Sequence, residues 1–131
     1  MHLAQISKRT VDMHELGIVF EIKKQVEKTA AENELRLQDI AKVVVEVGEA
    51  SSVVPSYLKE CWPAAIEGTE MEACEFEVEI IVATVECKNC ETVYEYLKEG
   101  RKCPQCGCES CYMVTGNEFI IKEIAVFEPE E

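Results

Sequence analysis

The chain has 131 residues, 47% of them hydrophobic, enough to bury one modest core with a small appended module and too few for two large domains. Its 26 Asp and Glu against 13 Lys and Arg give a formal net charge of -13, a field that repels phosphate backbones and excludes a nucleic-acid binder. With no apolar leader and no apolar run of membrane-spanning length, the expected compartment is the cytoplasm, where eight cysteines argue for metal rather than a disulfide framework.

From Met13 onward, Leu16, Val19, Ile22, Val26 and Ala30 recur every three or four residues among Glu21, Lys23, Lys24, Glu27 and Lys28. This predicts an amphipathic helix ending near Asn33. Ile40 to Val47 is a β-branched run with Val43, Val45 and Val47 on one face, closed by Gly48, and reads as a strand. A second helix is expected from about Pro55 to Glu67, with Leu58, Cys61, Trp62, Ala65 and Ile66 as its apolar side, a kink at Pro63 and an end at Gly68-Thr69. Cys74 to Ile80 then alternates apolar and acidic residues without a break, the pattern of a strand with one face on the core and one in water.

Strand, helix, strand makes a right-handed crossover unit whose two strands would lie parallel in one sheet. Phe119 to Phe127 is again β-rich and is expected to return to that sheet. The fold class is therefore α/β (α+β): a small mixed β-sheet flanked by two helices and interrupted by an inserted metal module. Residues 1–83 and 115–131 would form the α/β domain and residues 84–114 the module, with Thr84 to Glu86 and Val114 to Asn117 as connecting strands.

Within the module, Cys87-Lys88-Asn89-Cys90 and Cys103-Pro104-Gln105-Cys106 are two Cys-x-x-Cys pairs, separated by a span long enough to form a hairpin. Each pair can turn two sulfurs toward one ion, so Cys87, Cys90, Cys103 and Cys106 read as a closed tetrathiolate site with zinc as the default occupant. Cys108 and Cys111 follow closely, but the Pro-containing turn at Cys103 and Cys106 is the regular mate for the first pair. The two extra thiols are taken as bystanders, with metal exchange or redox sensitivity as the sharper option. Cys61 and Cys74 fall on apolar faces and read as small core residues.

At the other end, Met13-His14-Glu15-Leu16 opens the first helix. A free α-amine, the next backbone amide and an imidazole at position two form fused chelate rings, a planar nitrogen-rich set that suits Ni(II), and Glu15 could complete it. A lone His at a helix start is otherwise a solvated or capping residue.

Taken together, the Met-His-Glu-Leu opening, the strand ending Val47-Gly48-Glu49, the helix leading to Glu67-Gly68-Thr69, the paired knuckles and the Gly116-Asn117-Glu118 strand entry resemble the HypA/HybF family of hydrogenase-maturation nickel chaperones. The resemblance covers roughly Met13 to Phe127. It implies a nickel-binding α/β domain carrying a structural zinc ribbon, which helps insert Ni(II) into the large-subunit precursor of a [NiFe] hydrogenase together with a maturation GTPase. Carried over by residue, nickel falls on His14 with Glu15 beside it and on the Met13 amine if the chain starts there, and Zn(II) on Cys87, Cys90, Cys103 and Cys106. In this family the His follows the initiating Met, whereas here twelve residues precede Met13. The expected start is Met13, with residues 1–12 an extension or a mis-assigned start; Met1-His2 offers the same amine-then-His order without the Glu. No enzyme arrangement is expected, since both histidines lie near the start and neither a phosphate-binding glycine loop nor a nucleophile constellation is present. The expected state is a monomer or homodimer, contacting neither nucleic acid nor membrane. The competing readings are a rubredoxin-like electron carrier, which would be coloured by iron, and a zinc-ribbon interaction module.

Overall fold

The computed structural model describes residues 2–128, with side chains from residue 14 on. Its elements in chain order are α1 (His2–Glu32), a 3-10 turn (Leu37–Asp39), β1 (Ile40–Gly48), α2 (Pro55–Ile66), β2 (Glu75–Ile81), β3 (Thr84–Cys87), β4 (Val93–Glu95), the one-turn α3 (Tyr96–Glu99), β5 (Cys111–Thr115) and β6 (Phe119–Val126). They form two three-stranded sheets, ordered β2-β1-β6 and β4-β3-β5. Among the described residues no helix is long and apolar enough to cross a membrane.

The first sheet is mixed. Lys42 Nζ lies 3.9 Å from Glu77 Oε1 near the starts of β1 and β2, and the Glu49 amide donates to the Ile81 carbonyl at their ends (2.8 Å), so the two strands run the same way. In contrast, Phe127 donates to Asp39 and Gly48 donates to Glu118, which makes β6 antiparallel to β1. As the central strand, β1 buries Val44 as well as Val43, Val45 and Val47, so both of its faces are covered and not one alone. On the edge strand β2 the alternation holds from Glu75 to Val78 and then slips, leaving Glu79 half-buried and Ile80 57% exposed.

Helix α2 buries Leu58, Cys61, Trp62, Ala65 and Ile66, the five positions its spacing predicts. Trp62 also stacks on Phe76 of β2 at 4.6 Å and donates its indole N–H to the Cys74 carbonyl (3.1 Å), which satisfies the polar end of a buried ring. Burial pushes the Cys74 thiol up to about 11, as befits a core residue.

Helix α1 differs most from expectation. It begins at His2, because residues 2–12 contain neither Pro nor Gly and a formed helix propagates readily through such a run. His14 and Glu15 are consequently inside the helix and not before it. The buried stripe of α1 is Glu15, Val19, Ile22, Val26 and Ala30; Leu16, expected on that stripe, is half-buried. Met13 lies outside the residues whose side chains are described, and Met1 lies outside the described residues altogether.

The chain divides into two compact units: residues up to Val45, Val53–Val78 and from Ile121 on make one, and Glu46–Ser52 with Glu79–Ile120 make the other. Within the second unit, the entry to the β3 sheet is a close backbone crossing. A Cβ on Gly48 would collide with the Gly116 carbonyl, and one on Gly116, whose φ is 121°, would sit 2.6 Å from Ala83 Cα. Two acidic side chains brace the crossing: Glu49 accepts from the Ala83 amide (2.9 Å) and Glu118 from the Gly116 amide (2.7 Å).

Candidate metal centres

The β3-β4 hairpin and β5 build the first centre. Antiparallel pairing sets Val85 opposite Tyr94, Glu86 opposite both Val93 and Tyr112, and Cys87 opposite Cys111, with an irregularity between Thr84 and Val85 that lets Thr84 meet Thr115. Strand β5 starts three residues earlier than the expected Val114, because those residues are held in register against β3. Thr84 and Thr115 join through their hydroxyls at 2.6 Å, and the Tyr112 hydroxyl donates to Glu86 at 2.5 Å.

At the end of β3 the chain turns through the first knuckle. The amides of Asn89 and Cys90 point at Cys87 Sγ (3.4 and 3.5 Å), Glu91 donates to the Cys87 carbonyl (3.0 Å), and Glu91 itself takes a φ of 65°. The second knuckle repeats this arrangement. Gln105 donates to Cys103 Sγ (3.4 Å), Gly107 donates to the Cys103 carbonyl (2.9 Å), and Gly107 has a φ of 79°. These amides hold the sulfur of each leading cysteine in a fixed direction.

All four sulfurs lie within 4.8 Å of one another, with Cys87 and Cys106 3.5 Å apart and Cys90 and Cys103 3.6 Å apart. A tetrahedral ion with bonds of about 2.3 Å requires sulfurs roughly 3.8 Å apart, so the set fits a structural zinc-type ion. Cys87 and Cys103 are buried while Cys90 and Cys106 are exposed. The Asn89 side-chain amide, reaching across from the other knuckle at 3.5 Å, and the Cys108 amide bring the Cys106 thiol down to about 6. Behind the sulfurs, Val85 and Tyr94 pack with Cys87 and Cys103, and Tyr96, Cys108 and Cys111 close the cluster. The Tyr94 hydroxyl donates to the Arg101 carbonyl (2.9 Å); burial and the neighbouring Cys111 push it up to about 12.

Around His14 the described residues form no comparable cluster. Among the described residues the four cysteines are the one group of three or more ligating side chains placed to share an ion. His14 is exposed, whereas Glu15 is 1% exposed, because successive residues on a helix diverge by about 100°. Glu15 Oε2 accepts the Val54 amide at 3.3 Å, immediately before α2, where helix N–H groups lack partners of their own kind. Its other oxygen, Oε1, is buried without a hydrogen-bond partner. Sequence reasoning places Glu15 beside His14 and misses its inward face, although the 15-19-22-26-30 spacing carries that signal. It also misses Asn89 and the glycine crossing, which depend on contacts remote in sequence.

An α/β fold with a mixed sheet and a ribbon of facing Cys-x-x-Cys knuckles defines a small metal-binding protein carrying a tetrathiolate centre. The model of the family for hydrogenase/urease nickel incorporation, the metallochaperone HypA, matches residues 13–126, and the chain belongs to this family of nickel metallochaperones of hydrogenase maturation. It is 33% identical to the hydrogenase maturation factor HypA of Geobacter sulfurreducens over 114 residues, covering 87% of this chain and 99% of that one. With the HypA of Aquifex aeolicus the identity is 30% over 112 residues, covering 86% and 96%. The solution structure of the Ni metallochaperone HypA from Helicobacter pylori shares the fold at a TM-score of 0.59 and 21% identity, over 88% of this chain and 98% of that one. A second HypA solution structure gives 0.64 at 22% identity over 88% and 97%.

Proposed function

We propose that this chain carries Ni(II) as transient cargo at Met13 and His14 and delivers it to the large-subunit precursor of a [NiFe] hydrogenase, with a maturation GTPase as helper and no catalytic step of its own. Residues 1–83 and 115–131 act as the nickel-binding domain and residues 84–114 as the zinc-binding ribbon. The work is cytoplasmic, where reduced thiols keep the ribbon loaded.

The observation that carries the reading is the family match beginning at Met13, one residue before the exposed His14. In a helix begun at His2 the His14 amide is bonded to a carbonyl one turn earlier and is not open to an ion. In a chain begun at Met13 the first four amides have no helical acceptor, so the Met13 amine, the His14 amide and the His14 imidazole can close around one ion. Glu15, facing inward, holds the start of α2 close to that part of α1, and its second carboxylate oxygen has no hydrogen-bond partner. A terminal site of this kind is open on one side, which suits release. The ribbon is the opposite: Cys87, Cys90, Cys103 and Cys106 enclose Zn(II), whose binding supplies the ribbon's folding energy.

Titration of the Met13-initiated chain with Ni(II), beside its His14→Ala variant and the full 131-residue chain, tests the assignment. The expected result is binding by the first, its loss in the variant with zinc content unchanged, and weaker binding by the full chain. Undiminished affinity in His14→Ala rules the site out.

A further inference from the structure

The four sulfurs of the tetrathiolate centre are not equally sheltered, since Cys87 and Cys103 are buried whereas Cys90 and Cys106 are exposed. An ion held by this set is reached from outside at one sulfur of each knuckle, and it leaves a closed site only after one of its bonds has opened. Both exposed sulfurs are met by a side chain of the first knuckle. The Thr92 hydroxyl lies 3.1 Å from Cys90 Sγ in its own turn. The Asn89 side-chain amide instead crosses to the second knuckle and donates to Cys106 Sγ at 3.5 Å.

Asn89 therefore touches a sulfur of each knuckle, because its backbone amide donates to Cys87 Sγ at 3.4 Å. The turn that carries it is braced on both sides: the Lys88 amide donates to the Ser110 carbonyl and the Glu91 amide to the Cys87 carbonyl, each at 3.0 Å. Its counterpart is Gln105, the third residue of the second knuckle, whose backbone amide donates to Cys103 Sγ at the same 3.4 Å. The backbone bond follows from the shape of the turn and recurs in both knuckles. The side-chain bond across the gap is made by Asn89.

We propose that Asn89 is a positioning residue of the tetrathiolate centre, holding the exposed Cys106 sulfur against the first knuckle and thereby setting how fast zinc is lost. The proposal rests on the reading that the four cysteines hold zinc. When a chelator opens the zinc bond at Cys106, the amide keeps that sulfur beside the ion and the bond recloses. Without the amide the sulfur turns away into solvent, and the ion is left on three ligands. Groups outside the ligand set orient the ligands in this way, and losing one costs about 10–100-fold in metal binding.

The test follows zinc transfer from the zinc-loaded full chain to an excess of a coloured chelator, under reducing conditions, for the wild type, Asn89→Ala, Asn89→Asp and Gln105→Ala. Asn89→Asp keeps the shape of the side chain and exchanges the donor for a carboxylate that repels the sulfur. The expected result is zinc loss about tenfold faster in Asn89→Ala, faster still in Asn89→Asp, and within about twofold of the wild type in Gln105→Ala. Cobalt in place of zinc gives a second reading. Its thiolate charge-transfer band should move to longer wavelength in both Asn89 variants, since a sulfur that loses a hydrogen bond gives up its electrons more easily, while the bands of a tetrahedral four-sulfur set persist. Wild-type rates in both Asn89 variants, a wild-type rate in Asn89→Asp alone, an unmoved cobalt band, or equal acceleration in Gln105→Ala would each overturn the proposal. Should Asn89→Asp fail to fill the site, Asn89→Ala decides by rate and band together. A wild-type chain that takes up no zinc would fail the tetrathiolate reading and the proposal with it, a result read before any variant is compared.

Discussion

The two knuckles and the His14-Glu15 step inside α1 hold the residues proposed for metal, and they present them in opposite ways. In the ribbon, four sulfurs from two remote segments converge within 4.8 Å, each knuckle braced by amides that donate to sulfur. At His14 and Glu15 two adjacent donors part company: one faces solvent and the other is buried against the start of α2. A cage assembled before the ion arrives suits a resident metal. A site whose donors must still be gathered suits a metal that has to leave.

That contrast can be broken most severely at a buried sulfur. Replacing Cys103 by Ala should cost more than about a hundredfold in zinc affinity, given about 10–16 kcal/mol for a four-ligand structural site, and should unfold the ribbon while the α1-α2 unit keeps its structure. Zinc analysis and amide exchange read both halves of that outcome. Next comes the crossing: Gly48→Ala forces a methyl group into the Gly116 carbonyl and should lower stability by about 3 kcal/mol, measured by urea unfolding.

Neighbours on α1 supply a finer comparison. Glu15→Ala should cost about 1–2 kcal/mol through the lost cap on α2 and the void left in the stripe, whereas His14→Ala should stay within about 0.5 kcal/mol. Glu15→Leu, which fills the stripe without an unpartnered oxygen, should recover much of that loss in thermal melts. The smallest effect concerns one thiol. In the zinc-free protein, alkylation of Cys106 should rise as pH passes about 6, since its thiolate is held by Asn89 and the Cys108 amide, and Asn89→Ala should move that midpoint upward.

The same regions differ in how plainly the amino-acid sequence announces them. The apolar side of α2 is legible residue by residue, because a helix of twelve residues repeats its burial period three times. The four cysteines are legible because their spacing leaves few other uses. Glu15 is less so: its spacing fits the buried stripe, but a charged residue in an amphipathic pattern is assigned outward by default, and the Val54 amide that it meets inside is remote in sequence. The start of α1 is hidden because nothing between His2 and Met13 stops a helix, and a missing stop is a weak signal. Strand β4 and the single turn of α3 are three and four residues long; pairing with β3 creates the former, and local propensity does not reveal it.

X-ray absorption at both metal edges, on Met13-initiated protein loaded with zinc and nickel together, tests the division of labour most directly. The account predicts zinc surrounded by four sulfurs at about 2.3 Å and nickel surrounded by nitrogen and oxygen alone. Sulfur at nickel, or fewer than four sulfurs at zinc, would contradict it.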